Sequence, residues 1–238
     1  MSDGWQVTTV ISTIRQSPSS VSLRLALGEP FTAIAGQHID IRLTAEDGYT
    51  TARAYSLSDT RERATTEVTV ERADDGEVSP YLVDVVEAGD PLEISGPHGG
   101  WFTWEPSSPR SVQLIGGGSG IVPLMSMIRA REASAPQVRF NLVYSLRSPD
   151  RTLFTDDLRQ LADHHRLSLN LFHTRVAPAG ESRPPGRLTS TELADATIAP
   201  DRRPDVYICG PNGFVENCAQ WMIEAGHDRA LIRTERFG

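Results

Sequence analysis

Along the first hundred residues, apolar and polar positions alternate in short bursts. Ser22-Leu23-Arg24-Leu25-Ala26-Leu27, Ile39-Asp40-Ile41-Arg42-Leu43 and Val68-Thr69-Val70-Glu71-Arg72 place apolar side chains at every second position. That is the period of a strand with one buried face. Between them stand Gly28-Glu29-Pro30, Ala45-Glu46-Asp47-Gly48 and Asp74-Asp75-Gly76, which carry turn chemistry. Short strands joined by polar turns predict a small antiparallel barrel. After Glu105-Pro106-Ser107-Ser108-Pro109-Arg110, read as a linker, the rhythm changes. Val112–Ile115, Phe140–Tyr144, Leu167–Phe172 and Val206–Cys209 are short apolar runs. Helical patterns fall between and after them, at about Pro123–Glu132, Asp156–Ala162 and Gly213–Ala225, with Gly226 as a C-terminal cap. Alternating strands and helices predict a parallel sheet covered on both faces. The expectation is a β + α/β chain, with an antiparallel barrel over residues 1–104 and a parallel-sheet domain over 110–238. Ala177–Gly186, rich in Pro and Gly, reads as a surface loop.

Composition narrows the chemistry. The 238 residues carry 39% hydrophobic and 23% charged positions, ordinary values for a folded chain, and a formal net charge of -8. An acidic balance counts against nucleic-acid binding, which needs a basic footprint. All 23 basic residues are Arg, so Lys Schiff bases and a P-loop Lys are excluded. Two cysteines, Cys209 and Cys218, cannot supply a four-Cys zinc or iron–sulfur site, and no metal site is expected. Met1-Ser2-Asp3-Gly4-Trp5 lacks the basic-then-apolar order of a signal peptide. No apolar stretch reaches the roughly 18–20 residues of a membrane span. A cytoplasmic chain with no membrane span is the expectation.

Gly116-Gly117-Gly118-Ser119-Gly120-Ile121-Val122-Pro123 joins a strand to a helix. Glycines let backbone approach a pyrophosphate, and a helix start offers free N–H groups. The spacing departs from the usual dinucleotide fingerprint, so a tight structural turn is the competing reading. The second strand of this half ends Tyr144-Ser145-Leu146-Arg147, where an NAD site usually has an acid. Ser145 and Arg147, joined by Arg175 after the third strand, suit a 2′-phosphate and favour NADPH over NADH. Solvated surface arginines are the alternative.

Taken alone, Arg53-Ala54-Tyr55-Ser56-Leu57-Ser58 is a strand with an ordinary aromatic, Arg53, Tyr55 and Leu57 sharing one face. Its company matters more. Gly76-Glu77-Val78-Ser79-Pro80-Tyr81-Leu82, Gly96-Pro97-His98-Gly99-Gly100-Trp101-Phe102, the glycine turn, Cys209-Gly210-Pro211 and Glu235-Arg236-Phe237 follow in that order. Over nearly its whole length the chain resembles the ferredoxin–NADP reductase superfamily of flavoproteins. The resemblance implies a flavin-binding barrel followed by a Rossmann-like NAD(P)-binding domain, with FAD favoured over FMN. It implies that Arg53 holds the flavin phosphate, Tyr55 packs on the isoalloxazine, and Ser56 lies near the reactive N5. Val78 and Ser79 would grip the second phosphate, and Val70 and Arg72 would lie beside the flavin. Gly117, Gly118, Ser119 and Gly120 would hold the pyridine dinucleotide. Cys209, Gly210 and Pro211 would sit beside the nicotinamide, with Cys209 either a contact or a small spacer. Glu235 and Phe237 match the segment lying over the flavin. Ser56, Cys209 and Glu235 are the catalytic candidates.

The resemblance further implies an NAD(P)H-dependent oxidoreductase for electron transport, passing hydride to flavin and electrons to a separate partner such as a ferredoxin, a haem protein or an oxygenase component. Some relatives carry a fused [2Fe–2S] domain, which two cysteines cannot supply. Two rival expectations stand beside this one. A reductase of diffusible acceptors (free flavin, quinone or ferric chelates) is the first. A non-catalytic nucleotide-sensing module is the second, disfavoured because both the flavin-side and nucleotide-side motifs are intact.

Overall fold

The computed structural model describes residues 4–237, so the reading of Met1, Ser2 and Asp3 falls outside it. Two compact units emerge. The first runs to Glu105 and takes in Met125–Ala130; the second comprises Pro106–Leu124 and continues from Arg131.

The first unit is a closed barrel. Its strands are β1 (Trp5–Ser17), β2 (Ser20–Ala26), β3 (His38–Thr44), β4 (Thr50–Asp59), β5 (Thr65–Glu71) and β6 (Pro91–His98). Their order around the wall is β1-β2-β5-β4-β3-β6. Neighbouring strands pair antiparallel. The expected alternation is what fills it: Leu23, Leu25, Ile39, Ile41, Leu57, Val68 and Ile94 are fully buried in one cluster. Each such side chain contributes about 1.5–3 kcal/mol through burial. The short helix α1 (Ser79–Asp84) adds Leu82 and Val83 to that cluster. β5 ends at Glu71, so Arg72 lies just past the strand expected to contain it, and β2 ends one residue before Leu27.

The second unit is a five-stranded parallel sheet in the order β11-β10-β7-β8-β9. The strands are β7 (Val112–Gly117), β8 (Phe140–Leu146), β9 (Ser168–His173), β10 (Asp205–Pro211) and β11 (Ile232–Phe237). Every residue of β7 and β8 is buried, as expected of central parallel strands. The helices are α2 (Ile121–Ser134), α3 (Thr155–Asp163), α4 (Ser190–Ala196) and α5 (Asn212–Glu224). α2 begins two residues before Pro123, which therefore sits within its first turn, where an absent N–H costs nothing. Gly226 follows the end of α5 with φ +95°, the left-handed conformation a helix-ending glycine supplies. Cys218 packs with Val215 and Met222 in the core; burial pushes its thiol up to about 12. No helix among the described residues is long and apolar enough to cross a membrane.

Candidate cofactor and nucleotide sites

In the barrel, β4 carries Arg53, Tyr55 and Ser56. Along one edge β4 pairs with β3 over its length, from Thr50 opposite Thr44 to Ser56 opposite His38. Along the other it meets β5 only at Leu57–Val68 and Asp59–Glu67, across an irregularity. The stretch holding the three candidates therefore lies where the barrel wall is least laced, and its backbone groups are available to a ligand. The alternation works as expected. Tyr55 and Leu57 pack on the barrel core, while Ser56, on the other face, is buried. Burial pushes the Tyr55 phenol up to about 12, with Arg53 pulling the other way. Tyr55 is thus neutral, a ring face rather than a charge.

Arg53 is more than half exposed. Its Nη1 donates to the Ala52 carbonyl at 2.7 Å and to Thr51 Oγ1 at 3.3 Å. Its Nη2 lies 3.7 Å from Glu77 Oε2. Glu77 immediately precedes Val78 and Ser79, so this pair brings both phosphate-gripping candidates together. Val78 precedes α1 with no side-chain capping bond, and Ser79 Oγ accepts from the Ala73 N–H at 3.0 Å, closing the turn before the helix. A weakly committed guanidinium beside an uncapped helix start and a half-buried aromatic ring is a donor set that fits a flavin phosphate and its ring.

Two expected members stand apart. Val70 is a core residue, 1% exposed. The Arg72 guanidinium is held by Asp84 at 2.9 Å and Asp74 at 2.5 Å. Neither side chain is presented as Arg53 is. Thr51, Tyr49 and Glu77 line a cleft of about 680 Å³ that also reaches Leu43, Leu92 and Tyr81.

In the second unit, Gly118–Gly120 form one tight turn between β7 and α2. Its glycines answer different needs. A Cβ on Gly117 would lie 2.7 Å from the Phe214 ring, and one on Gly120 would lie 2.2 Å from the Cys209 carbonyl oxygen. Those two are imposed by packing. Gly118 has φ +55°, and a Cβ there would meet nothing within 4 Å; it is required by conformation and faces open space, as a phosphate-binding backbone needs. Ser119 lies between, half-buried.

Cys209 stands in register between Gly116 of β7 and Glu235 of β11. Burial, and then the Glu235 charge, push its thiol well above the ordinary range, so it stays protonated. Gly210 and exposed Pro211 end the strand, and Pro211 pairs with half-buried Phe237. β8 and β9 end beside each other: the Arg175 N–H donates to the Arg147 carbonyl at 2.9 Å. Both side chains are exposed and neither has an acidic partner among the described residues, while Ser145 is buried.

Two residues escaped the sequence reading. Glu77 stood inside a quoted motif but offered no sign that it would face Arg53, 24 positions away. His38 lies opposite Ser56 on β3 and so shares its face of the sheet. Burial lowers its imidazole, Asp40 raises it, and His98, with ring centres 5.8 Å apart, lowers it. His98 is held by Ser95 Oγ at 3.2 Å.

Comparison with known proteins agrees with both halves. Residues 8–103 match the oxidoreductase FAD-binding domain family, and residues 114–220 match the oxidoreductase NAD-binding domain family. A flavohemoprotein of Rhodopirellula baltica is 30% identical over 220 residues, covering 85% of this chain and 52% of that protein. The ferredoxin reductase component of a 3-ketosteroid-9-alpha-monooxygenase from Rhodococcus rhodochrous is 28% identical over 240 residues, covering 97% and 64%. The flavohem-like FAD/NAD-binding domain of nitric oxide dioxygenase from Vibrio cholerae superposes with a TM-score of 0.86 at 26% identity, covering 98% of each chain. The chain spans between half and two thirds of the length of these curated relatives. The chain therefore joins an oxidoreductase FAD-binding domain to an oxidoreductase NAD-binding domain, and belongs to the ferredoxin reductase-like family in which the two are paired.

Proposed function

We propose that this chain takes hydride from NADPH onto bound FAD and delivers electrons to a separate redox protein. The observation that carries the nucleotide choice is the pair Arg147 and Arg175, joined through their backbones at the ends of β8 and β9 with no carboxylate among the described residues to neutralise them. Two free guanidiniums suit a 2′-phosphate, whereas the ribose hydroxyls of NADH call for an acid. Gly117–Gly120 present backbone to the dinucleotide. Cys209, a small neutral thiol, and Gly210 with Pro211 flank the nicotinamide, and Glu235 lies beside Cys209.

On the flavin side Arg53 takes a phosphate, with the Val78 and Ser79 backbone taking another. Tyr55 offers its ring face, and Ser56 places a hydroxyl for N5. Val70 contributes through its backbone and Arg72 by fixing α1 through Asp84. FAD is favoured over FMN because the cleft beginning at Thr51 and Glu77 has room for an adenosine half. When bound, the flavin supplies the two-electron acceptor that can release electrons singly; the chain's own share is positioning and electrostatics.

A protein acceptor is supported by relatives named as reductase components of a ketosteroid monooxygenase and of a propane monooxygenase. The test is the visible spectrum of the purified protein, mixed anaerobically with NADPH and, separately, NADH. A yellow protein bleached faster by NADPH supports the reading. Faster bleaching by NADH removes Ser145, Arg147 and Arg175 from the site. A protein that stays colourless after reconstitution with FAD overturns it.

A further inference from the structure

Ser56 stands where the lacing of β4 changes. Its ladder with β3 ends there, opposite His38, and just beyond it the Leu57 N–H donates to the Gln37 carbonyl at 2.9 Å. On the other edge β4 meets β5 at Leu57–Val68 and then at Asp59–Glu67. Glu67 and Val68 are consecutive, so Ser58 is an extra residue, a bulge two positions after Ser56. A bulge bends its strand and re-aims the side chains beside it. Whatever holds Ser58 therefore bears on where Ser56 points.

Three side chains hold it. Arg129 Nη1 donates to the Ser58 carbonyl at 3.2 Å and to Glu67 Oε1 at 2.6 Å. The Ser58 hydroxyl donates to the same Glu67 oxygen at 2.7 Å and accepts from Thr69 Oγ1 at 3.2 Å. Arg129 lies in Met125–Ala130, the part of α2 that belongs to the barrel unit. Its side chain is 15% exposed and that of Glu67 13%, and Ser58 is fully buried. An ion pair this far from water is weak evidence for stability, because desolvation offsets the attraction. It does what an apolar pair could not, since it gives both the carbonyl and the hydroxyl of the bulge a partner. We propose that Arg129, paired with Glu67, is a positioning residue that fixes the bulge at Ser58 and so holds the Ser56 hydroxyl in place for flavin N5. The proposal rests on the placement of Ser56 at N5. Neither Arg129 nor Glu67 needs to touch the flavin, yet a displacement of about 1 Å at the reacting centre can cost about 100-fold in rate.

Two measurements test it, on the wild type, Ser56→Ala, the pair Arg129→Met with Glu67→Met, and the triple variant. The Met pair removes the bonds to Ser58 without leaving a buried charge unpaired, so the barrel should still fold. Hydrogen exchange on the flavin-free chain reads the bulge itself. In the Met pair the Leu57 amide should exchange at least about tenfold faster, with the amides of β6 unchanged. Anaerobic single-turnover mixing of the flavin-loaded chain with saturating NADPH reads the consequence. The Met pair should slow flavin reduction roughly 10- to 100-fold, while the dissociation constants of flavin and nucleotide move by no more than about twofold. In the Ser56→Ala background the same pair should slow it by less than about twofold, because a group that acts through Ser56 has nothing left to position. Full slowing in that background, unchanged exchange at Leu57, or equal acceleration throughout the barrel overturns the proposal. If Ser56→Ala slows reduction and the Met pair does not, the role of Arg129 alone falls. If Ser56→Ala leaves reduction unchanged, the placement of Ser56 falls and the proposal with it.

Discussion

Under the proposed function, the two halves of this chain would meet phosphates in opposite ways. The barrel offers side chains on a weakly laced strand: Arg53 is more than half exposed, and its partner Glu77 is equally open. The sheet offers backbone, made available by glycines that are mostly there for packing. Gly117 yields to Phe214 and Gly120 to the Cys209 carbonyl, and only Gly118 faces open space. Binding and folding are therefore separable in the barrel and entangled in the sheet. Mutation should expose that difference.

The largest effect is expected at the most entangled position. Gly120→Ala places a methyl 2.2 Å from backbone that cannot yield without moving β10. It should destabilise the chain by about 3 kcal/mol, read as a fall in the urea midpoint. Gly118→Ala meets no neighbour, and its φ of +55° costs only about 1 kcal/mol. If the two substitutions cost the same, packing does not explain the glycines. In the barrel, Arg53→Ala should do the reverse. Flavin affinity should fall about 10- to 100-fold, the value of hydrogen bonds from a charged donor. The midpoint of the flavin-free chain should move by less than about 0.5 kcal/mol.

The same contrast governs what the sequence makes legible. Strands whose alternation is regular, such as β3 and β5, are read from their period. β1 is not, because its ladder slips between Val10 and Ser12 and again between Arg15 and Ser17. The slips leave Val7, Val10, Ile11 and Ile14 at helical spacing, a pattern that conceals a strand of 13 residues. α4 is only seven residues, and its signal is the Thr189–Glu192 capping box rather than a period. β11 is a polar edge strand that shows itself only by pairing with β10. The site divides likewise. Arg53, Tyr55 and Ser56 follow from a local motif. The facing of His38 to Ser56 and of Cys209 to Glu235 depends on register between distant strands, and that of Glu77 to Arg53 on where the loop before α1 folds back on β4, none of which local spacing encodes.

A smaller effect tests the side chains proposed to face the nucleotide in the sheet, as opposed to its glycines. Arg147→Ala and Arg175→Ala remove exposed groups with no acidic partner among the described residues, so neither should lower the unfolding midpoint by more than about 0.5 kcal/mol. Each should lower the NADPH-to-NADH ratio of kcat/KM about tenfold, equivalent to about 1.4 kcal/mol for one charge-assisted contact. Losing activity with both nucleotides equally would instead mean that these arginines support the sheet edge.

The smallest effect uses acid to compare the halves, since each holds a histidine that burial lowers, His38 half-buried and His227 buried. His38 in the barrel is lowered from 6.5 by burial, with Asp40 opposing and His98 adding to the shift; His227, after α5, is lowered by burial alone. The unfolded chain takes up these protons as pH falls through about 6.5, while the folded chain resists. Their stabilisation is therefore complete above 6.5 and is lost as pH falls through the folded values. Carboxylates act in a separate window. Glu192, lowered from 4.5 to about 2, first by its hydrogen bond with Arg183, loses its contribution only below 4.5. Urea midpoints of the flavin-free chain should thus decline gently as pH falls below about 6.5, before the steeper acid loss. His227→Gln should flatten that decline by removing a lone desolvated imidazole. His38→Gln should flatten it less, because the Asp40 charge opposes the burial that lowers His38. If the decline survives the double variant, burial of these imidazoles is not its source, and the two halves do not share this property.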